Sequence, residues 1–527
     1  MEGKQAKAFK KSPSSLGEGG ASVRAGFPSP RPMGEGGASA PGGGSPAALR
    51  RNPQKKGKSS APTKPGAGAV ARQKNPSAAK QRPQKPVSAR DAALDVLTAC
   101  RRHNAWADAA LNAQLRRVPM PPMEAALCSR LVYGVTQHQI TLDFYLDAFC
   151  TQKVSHLQHP LADVLRLGAY QILFLDRVPD HAAVNEAVRQ AMQAGRKSAS
   201  GMVNAVLRRL SREKNKLPAI PDADPLQALS VRHSHPRWIV ERVCGLLGAE
   251  EAERFLAENN RIPPLTLQTN PERVTAEALI QELSTYGVEA ARRSALPDCI
   301  EVSGSGAVMG LPPFWTGKFY VQDAAARLVT EIAGLRSGQS VLDVCAAPGG
   351  KSFGAAFAVG DGGSVTACDV SADRLKRVED GAKRLGLADR IKTAVADGRE
   401  FHAEWASKFD VVLVDAPCSG LGVIRKKPDI RYRDPAPLDA LPELQYAILS
   451  NAAQYVRPGG TLIYSTCTVL PEENEAVAER FLSAHTDFHK TPFAAPIVGE
   501  TSGEVTLWPQ RHGTDGFYIC RMERNPQ

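Results

Sequence analysis

From about residue 320 the chain alternates short apolar runs with stretches of helical periodicity, and this alternation restricts its fold more than any other feature. Ser340–Val344, Ser364–Asp369, Ile391–Val395, Phe409–Val414 and Thr461–Tyr464 are short and mostly apolar. Such runs, separated by helix-length segments, predict a parallel sheet covered by helices on both faces. Sheets of this kind bind ligands beyond the carboxyl ends of their strands. The polar residues that follow each strand are therefore the candidate functional residues.

The first run ends in Asp343-Val344-Cys345-Ala346-Ala347-Pro348-Gly349-Gly350-Lys351. Its glycines let the backbone approach a ligand at a helix start. It matches neither a dinucleotide fingerprint nor a phosphate loop, because Lys351-Ser352 lacks the upstream glycine in the required frame. The second run ends in Asp369, placed to take a ribose hydroxyl pair. The third is followed by Asp397, suited to accept from an adenine amino group. Helix N-capping is the plain alternative for each aspartate. Three such groups on successive strands, with no pyrophosphate to cradle, point to S-adenosylmethionine.

The fourth run leads into Asp415-Ala416-Pro417-Cys418-Ser419-Gly420-Leu421-Gly422, and the fifth into Ser465-Thr466-Cys467-Thr468. A single cysteine is most often a small buried hydrophobe. Two cysteines at the ends of neighbouring strands suit covalent catalysis, because carbon 5 of a pyrimidine accepts a methyl group only after a thiolate adds at carbon 6. Asp415 is the candidate to stabilise the protonated adduct at ring nitrogen 3. Arg425, Lys426, Lys427, Arg431 and Arg433 form a basic loop nearby, read as either a phosphate contact or a solvated loop. His512 with Asp515 reads as an acid/base pair or, preferably, a structural turn. Arg208 and Arg209 at a helix end complement the helix dipole.

Upstream, Ser88 with Asp91 reads as a capping-box-like helix start. Helical spacing recurs at Leu161/Val164/Leu165/Ile172, Val184/Ala187/Val188/Ala191 and Val203/Val206/Leu207/Leu210. Residues 88–213 are thus expected to be an all-helical domain. Residues 214–318 are expected to hold a helical connector and a small α/β subdomain, with strands at Leu265–Thr269 and Ile300–Val302 and a helix at Thr275–Leu283. The sheet domain is expected over 319–524.

Residues 1–87 are rich in Gly, Pro, Ser, Ala and Lys/Arg and are expected to be a disordered basic tail. A six-residue stretch at Gly17–Ser22 recurs at Gly34–Ser39. The tail reads equally as an RNA-binding extension or as an over-extended start, with Met33 a downstream candidate. Residues 1–88 hold 17 Lys/Arg and 3 Asp/Glu, whereas the rest of the chain holds 49 and 51. The whole-chain charge of +12 therefore belongs to the tail, and it says nothing about the partner of the folded part. Ten cysteines without a Cys-x-x-Cys pair argue against a disulfide scaffold or structural zinc and favour a reducing, cytoplasmic setting. No run of about eighteen apolar residues predicts a membrane span.

The segments 343–351, 415–422 and 465–475, with Pro471-Glu472-Glu473-Asn474-Glu475 closing the last, resemble the RNA cytosine-5 methyltransferases of the RsmB/Sun/Fmu family. The similarity continues through Arg425–Ile430 and His512–Tyr518. Pro179–Glu186 and Val203–Arg209 look like that family's N-terminal NusB-like domain. The resemblance spans about 88–524. It implies a NusB-like all-α domain, a small α/β subdomain and a class I, Rossmann-like methyltransferase domain. It also implies methylation of carbon 5 of cytosine in small-subunit ribosomal RNA with S-adenosylmethionine. Cys467 is then the nucleophile, Cys418 assists product release, and Cys345, Ala346, Ala347, Pro348, Gly349, Gly350, Lys351, Asp369, Asp397 and Asp415 contact the cofactor. Lys351 would orient the carboxylates. The expected state is a monomer with no metal and no membrane partner. Gln268 and Ala324 depart from the family's usual Arg and Glu. Transfer RNA or large-subunit RNA as the substrate is the nearer alternative, and a non-catalytic RNA-binding assembly factor the more distant one.

Overall fold

The computed structural model describes residues 87–293, 295–303 and 308–526, so the tail expectations lie outside the described residues. The first described helix, α1 (Ala89–His103), starts where Ser88 Oγ accepts from the Asp91 amide at 3.2 Å. It is followed by α2 (Ala107–Arg117), α3 (Pro122–Gln137), α4 (Gln139–Asp147), α5 (Leu161–Phe174), α6 (Asp180–Gln193) and α7 (Ser200–Glu213). Every residue of α5 from Leu161 to Ile172 is buried, which makes it the central helix that the others surround.

Helices α8 (Pro225–His233), α9 (Arg237–Leu247) and α10 (Ala249–Glu258) occupy the connector. They do more than connect. Leu229, Ile239, Val240, Val243, Phe255 and Leu256 form one apolar cluster with Leu421, Ile424, Ile430, Val469 and Leu470. These helices thus cover the two loops that carry Cys418 and Cys467.

The small subdomain is an antiparallel sheet of β1 (Leu265–Thr269), β2 (Glu289–Arg293), β3 (Leu296–Ser303) and β4 (Phe319–Val321), ordered β2-β3-β1-β4, with α11 (Ala276–Thr285) packed on β2 and β3. The sequence shows β1, β3 and α11 but hides both edges. β2 is polar and largely exposed, and β4 has only three residues. β4 pairs with β1 although it lies past residue 318, the expected end of this subdomain.

Short helix α12 (Pro312–Trp315) precedes β4, and α13 (Ala324–Ile332) leads into the main sheet. There β5 (Ser340–Asp343), α14 (Gly350–Val359), β6 (Ser364–Asp369), α15 (Ala372–Leu385), β7 (Ile391–Val395), β8 (Phe409–Asp415), α16 (Leu441–Ala453) and β9 (Val456–Thr466) alternate. The parallel order is β9-β8-β5-β6-β7, so the chain reverses its direction of addition between β5 and β8. Beyond α17 (Glu475–Ala484) come β10 (Phe488–Lys490), the hairpin β11 (Phe493–Ala495) and β12 (Gly499–Thr501), then β13 (Glu504–Leu507) and β14 (Phe517–Arg524). The five strands expected from the sequence are parallel, and three more extend the sheet. β14 lies antiparallel to β9, and β10 and β13 lie antiparallel to β14. β10 and β13, with three and four residues, are too short to show a periodicity of their own.

Candidate active site

The site lies beyond the carboxyl ends of the adjacent strands β5 and β8, at the topological switch point of the sheet. After β5 the backbone turns sharply into α14. Gly349 has φ 112°, a conformation that side chains rarely adopt, and a Cβ there would lie 2.6 Å from the Phe353 ring. The turn sets Lys351 in the first turn of α14, pointing back across the sheet. Its Nζ donates to Asp415 Oδ2 at 2.6 Å, and Ser465 Oγ donates to Asp415 Oδ1 at 3.1 Å. Burial disfavours the charge on Lys351, but the Asp415 carboxylate overrides this and raises its pKa, with further help from Asp343 and Cys467. Lys351 is therefore an ion-paired group of the site and not a solvent-facing lysine.

β8 and β9 are adjacent parallel strands with Asp415 opposite Ser465. Their loops bring Cys418 Sγ and Cys467 Sγ to 3.3 Å. Ser419 and Thr468, the residues after each cysteine, share a hydroxyl hydrogen bond of 2.7 Å. The hydrogen bond to Cys467, together with burial and the nearby charges of Glu473 and Asp415, holds the Cys418 thiol well above the usual range. The two sulfurs share a hydrogen bond in which either thiol can be the donor.

Asp343 is fully buried at the end of β5. Ser352 Oγ donates to its Oδ2 at 2.7 Å, whereas Oδ1 has no protein partner. Burial pushes Asp343 up to about 6. Asp369 is buried at the end of β6 and accepts from the Ser371 amide at 2.9 Å and from Arg374. It does not cap the following helix, because Ser371 does. Asp397 follows β7, where the Arg399 guanidinium holds its carboxyl below the usual range. Ala346 and Cys345 lie in the same turn, with the Ala346 amide bonded to Cys368 O on β6. A Cβ on Gly350 would lie 3.0 Å from Gln322, so the turn is closely backed.

These residues fit S-adenosylmethionine. The strand ends supply carboxylates suited to hydroxyl and amino groups and to a cationic sulfur, including an orphaned buried oxygen on Asp343. The lysine of the turn is already engaged by Asp415, which leaves it unsuited to a phosphate.

The expected basic loop is overturned for four of its five members. Arg425 is buried, donating to Asp515 at 3.0 Å, and Lys426 binds both Asp323 and Asp515. Arg431 is fully buried, and Arg433 stacks on Trp106 at 3.9 Å while bonding Asn104. Lys427 alone of the five is exposed. Their charges are spent on carboxylates and carbonyls distant in sequence, which a one-dimensional charge run cannot reveal. His512 and Asp515 do not pair. His512 Nδ1 receives the Trp508 amide at 2.8 Å, as the structural-turn reading expects.

The sequence reading missed several residues. Glu473, 1% exposed, accepts from the Ser419 amide at 2.9 Å. Gly422 donates to Cys467 O at 3.0 Å, and Gly516 donates to Gly422 O at 2.8 Å. Phe517 lies under Lys351, 5.3 Å from ring centre to Nζ. All belong to segments quoted for the family resemblance, which was the only available signal.

A parallel sheet that reverses at β5/β8, a glycine-rich turn and acidic strand ends define a Rossmann-like methyltransferase fold. Residues 332–523 match the family of the 16S rRNA methyltransferase RsmB/F, 87–212 the NusB family, and 235–309 the ferredoxin-like domain of RsmF/B-like methyltransferases. The chain is 35% identical over 446 residues to the probable ribosomal RNA small subunit methyltransferase B of Synechocystis sp., covering 83% of this chain and 100% of that one. Its identity to the Bacillus subtilis protein of the same name is 34% over 450 residues, covering 84% and 99%. The crystal structure of PH0851 superposes with a TM-score of 0.72 at 27% identity, over 84% of this chain and 99% of that chain. The chain belongs to the RsmB/F family of rRNA methyltransferases. Its cofactor is S-adenosylmethionine. Among the described residues no helix is long and apolar enough to cross a membrane.

Proposed function

We propose that the protein methylates carbon 5 of a cytosine in small-subunit ribosomal RNA through a transient bond between Cys467 and carbon 6. The observation that carries this is the cysteine pair, 3.3 Å apart, beside the Lys351–Asp415 ion pair. The relatives' names, ribosomal RNA small subunit methyltransferase B, support the choice of RNA. A ribosomal substrate is also consistent with the expected cytoplasmic setting.

S-adenosylmethionine supplies an electrophilic methyl group. The chain's own residues make carbon 5 able to take it. The Cys467 sulfur adds to carbon 6 as a thiolate, and ring nitrogen 3 takes a proton from water by way of Asp415. Lys351 and Ser465 fix that carboxylate from both oxygens. Carbon 5, now part of an enamine, takes the methyl group. Loss of the carbon 5 proton to water re-forms the ring double bond, and the electron pair of the carbon–sulfur bond returns to Cys467. Nitrogen 3 gives its proton back, and Cys418 assists this release.

Bisulfite mapping of ribosomal RNA tests the proposal. A strain carrying Cys467→Ala should lose the modified cytosine. Cys418→Ala should accumulate a covalent RNA–protein species on denaturing gels. Undiminished methylation by Cys467→Ala would refute the assignment.

A further inference from the structure

The two cysteines are the same chemical group at almost the same place, yet the proposed chemistry gives them opposite duties. Their surroundings differ. The Glu473 carboxylate is buried, and its Oε2 accepts from the Ser419 amide and from Gln445 Nε2, both at 2.9 Å. Gln445 Nε2 also donates to Pro417 O at 2.9 Å. The carboxylate is thus tied to the peptide groups on both sides of Cys418. The Tyr464 hydroxyl donates to the Glu473 carbonyl at 2.5 Å, and the neighbouring Asn474 side chain is bonded to Thr466 Oγ1 and Thr468 O, so the acid has little freedom to move. Among the described residues no ion pair involves Glu473, and its Oε1 is buried without a partner. A carboxylate kept in that state is costly and imposes its field on whatever lies beside it.

We propose that Glu473 is a positioning residue that assigns the cysteine roles: it keeps negative charge off Cys418, while Lys351 favours negative charge on Cys467. The groups that face the pair are few. Cys418 meets Cys467, Glu473 and Asp415, and Tyr464 lies within its field; Cys467 meets Cys418 and is felt by Lys351. Negative charge on Glu473 and Asp415 opposes ionisation of Cys418, and positive charge on Lys351 stabilises the Cys467 thiolate. The single proton of the ionised pair then sits on Cys418, donated toward Cys467. Once Cys467 is bonded to carbon it no longer accepts that proton, and Cys418 is freed for its later duty.

The inference rests on the proposed cytosine chemistry but is tested without RNA or cofactor. The full-length enzyme is treated with iodoacetamide at pH 8 to single-hit stoichiometry, and each cysteine is read by peptide mass spectrometry. In the wild type, Cys467 should react before Cys418. Glu473→Gln should raise the Cys418 rate about tenfold, the change in thiolate fraction expected from one pKa unit, and leave Cys467 unchanged. Glu473→Asp should behave as wild type. Faster reaction of Cys418 in the wild type would overturn the proposal. So would an unchanged Cys418 rate in Glu473→Gln, or a parallel rise of both cysteines, which signals loosening alone. If Glu473→Gln shows no cooperative thermal transition, Lys351→Met decides, with slower Cys467 alkylation expected and an unchanged rate overturning the proposal. Loss of methylation by Cys467→Ala is a separate readout, so a failure here is distinguishable from failure of the cytosine chemistry.

Discussion

Arg431 offers the sharpest test of how the helical domain is joined to the catalytic loops. Its guanidinium is fully buried and donates to Gln137 O, Ser234 O and Asn260 Oδ1 at 2.9 Å and to Asn259 O at 3.0 Å. Among the described residues no carboxylate pairs with it, and burial pushes its pKa down to about 10. One side chain from the loop after Cys418 thus ties the end of α3, the end of α8 and the end of α10 together. Arg431→Met keeps much of the apolar stem and removes the donors. Four charge-assisted bonds at about 1.5–3 kcal/mol each would amount to roughly 6–12 kcal/mol. Relief from burying an unpaired cation returns several kcal/mol. The net loss expected is about 3–5 kcal/mol, a large share of the roughly 5–15 kcal/mol that holds a typical protein folded. In a chain this long that corresponds to roughly 5 °C in Tm. Arg431→Lys should recover little of it, because an ammonium cannot span acceptors on three segments with the reach of a planar fork. Circular dichroism melts of the three proteins measure the effect. A Tm for Arg431→Met within about 1 °C of wild type would refute the reasoning.

Asp343 gives a pH prediction. Its folded pKa, about 6, lies above the ordinary 3.8, so the folded state binds its proton more tightly than the unfolded state. Stability from this group is therefore present at low pH and lost as pH rises through about 4 to 6, by an order of 2–3 kcal/mol. Asp343→Asn should shrink the difference between urea unfolding at pH 5 and pH 7 by about 1 kcal/mol, the part of that swing that falls between these two pH values, and an unaltered difference would count against it. Gly516→Ala should destabilise the protein and weaken methylation, because its Cβ would lie 2.6 Å from Gly422 Cα beneath Cys467. A melt and a methylation assay matching wild type would show that the backbone contact yields.

Much of the sheet was legible because its signals are local. β6 and β7 fall at the residues marked by periodicity, and the chemistry-bearing residues at the strand ends follow from chain direction alone. Ser88 and Asp91 could be read as a helix start because a capping box spans only a few residues. β2 and β4 escaped notice because an exposed polar edge and a three-residue strand have no periodicity of their own.

The sequence by itself determined that this chain would build a sheet with a cysteine at the ends of two of its strands, because side-chain alternation and turn chemistry act between near neighbours. Only the tertiary structure decided which charges remain free. Arg425, Lys426, Arg431 and Arg433 read as one basic loop, yet each is claimed by groups far away in the chain. Glu473 reads as one acid among several, yet it is the one buried beside Cys418. Coulomb energy and desolvation depend on distance in space and on burial, and neither quantity is written in the order of residues.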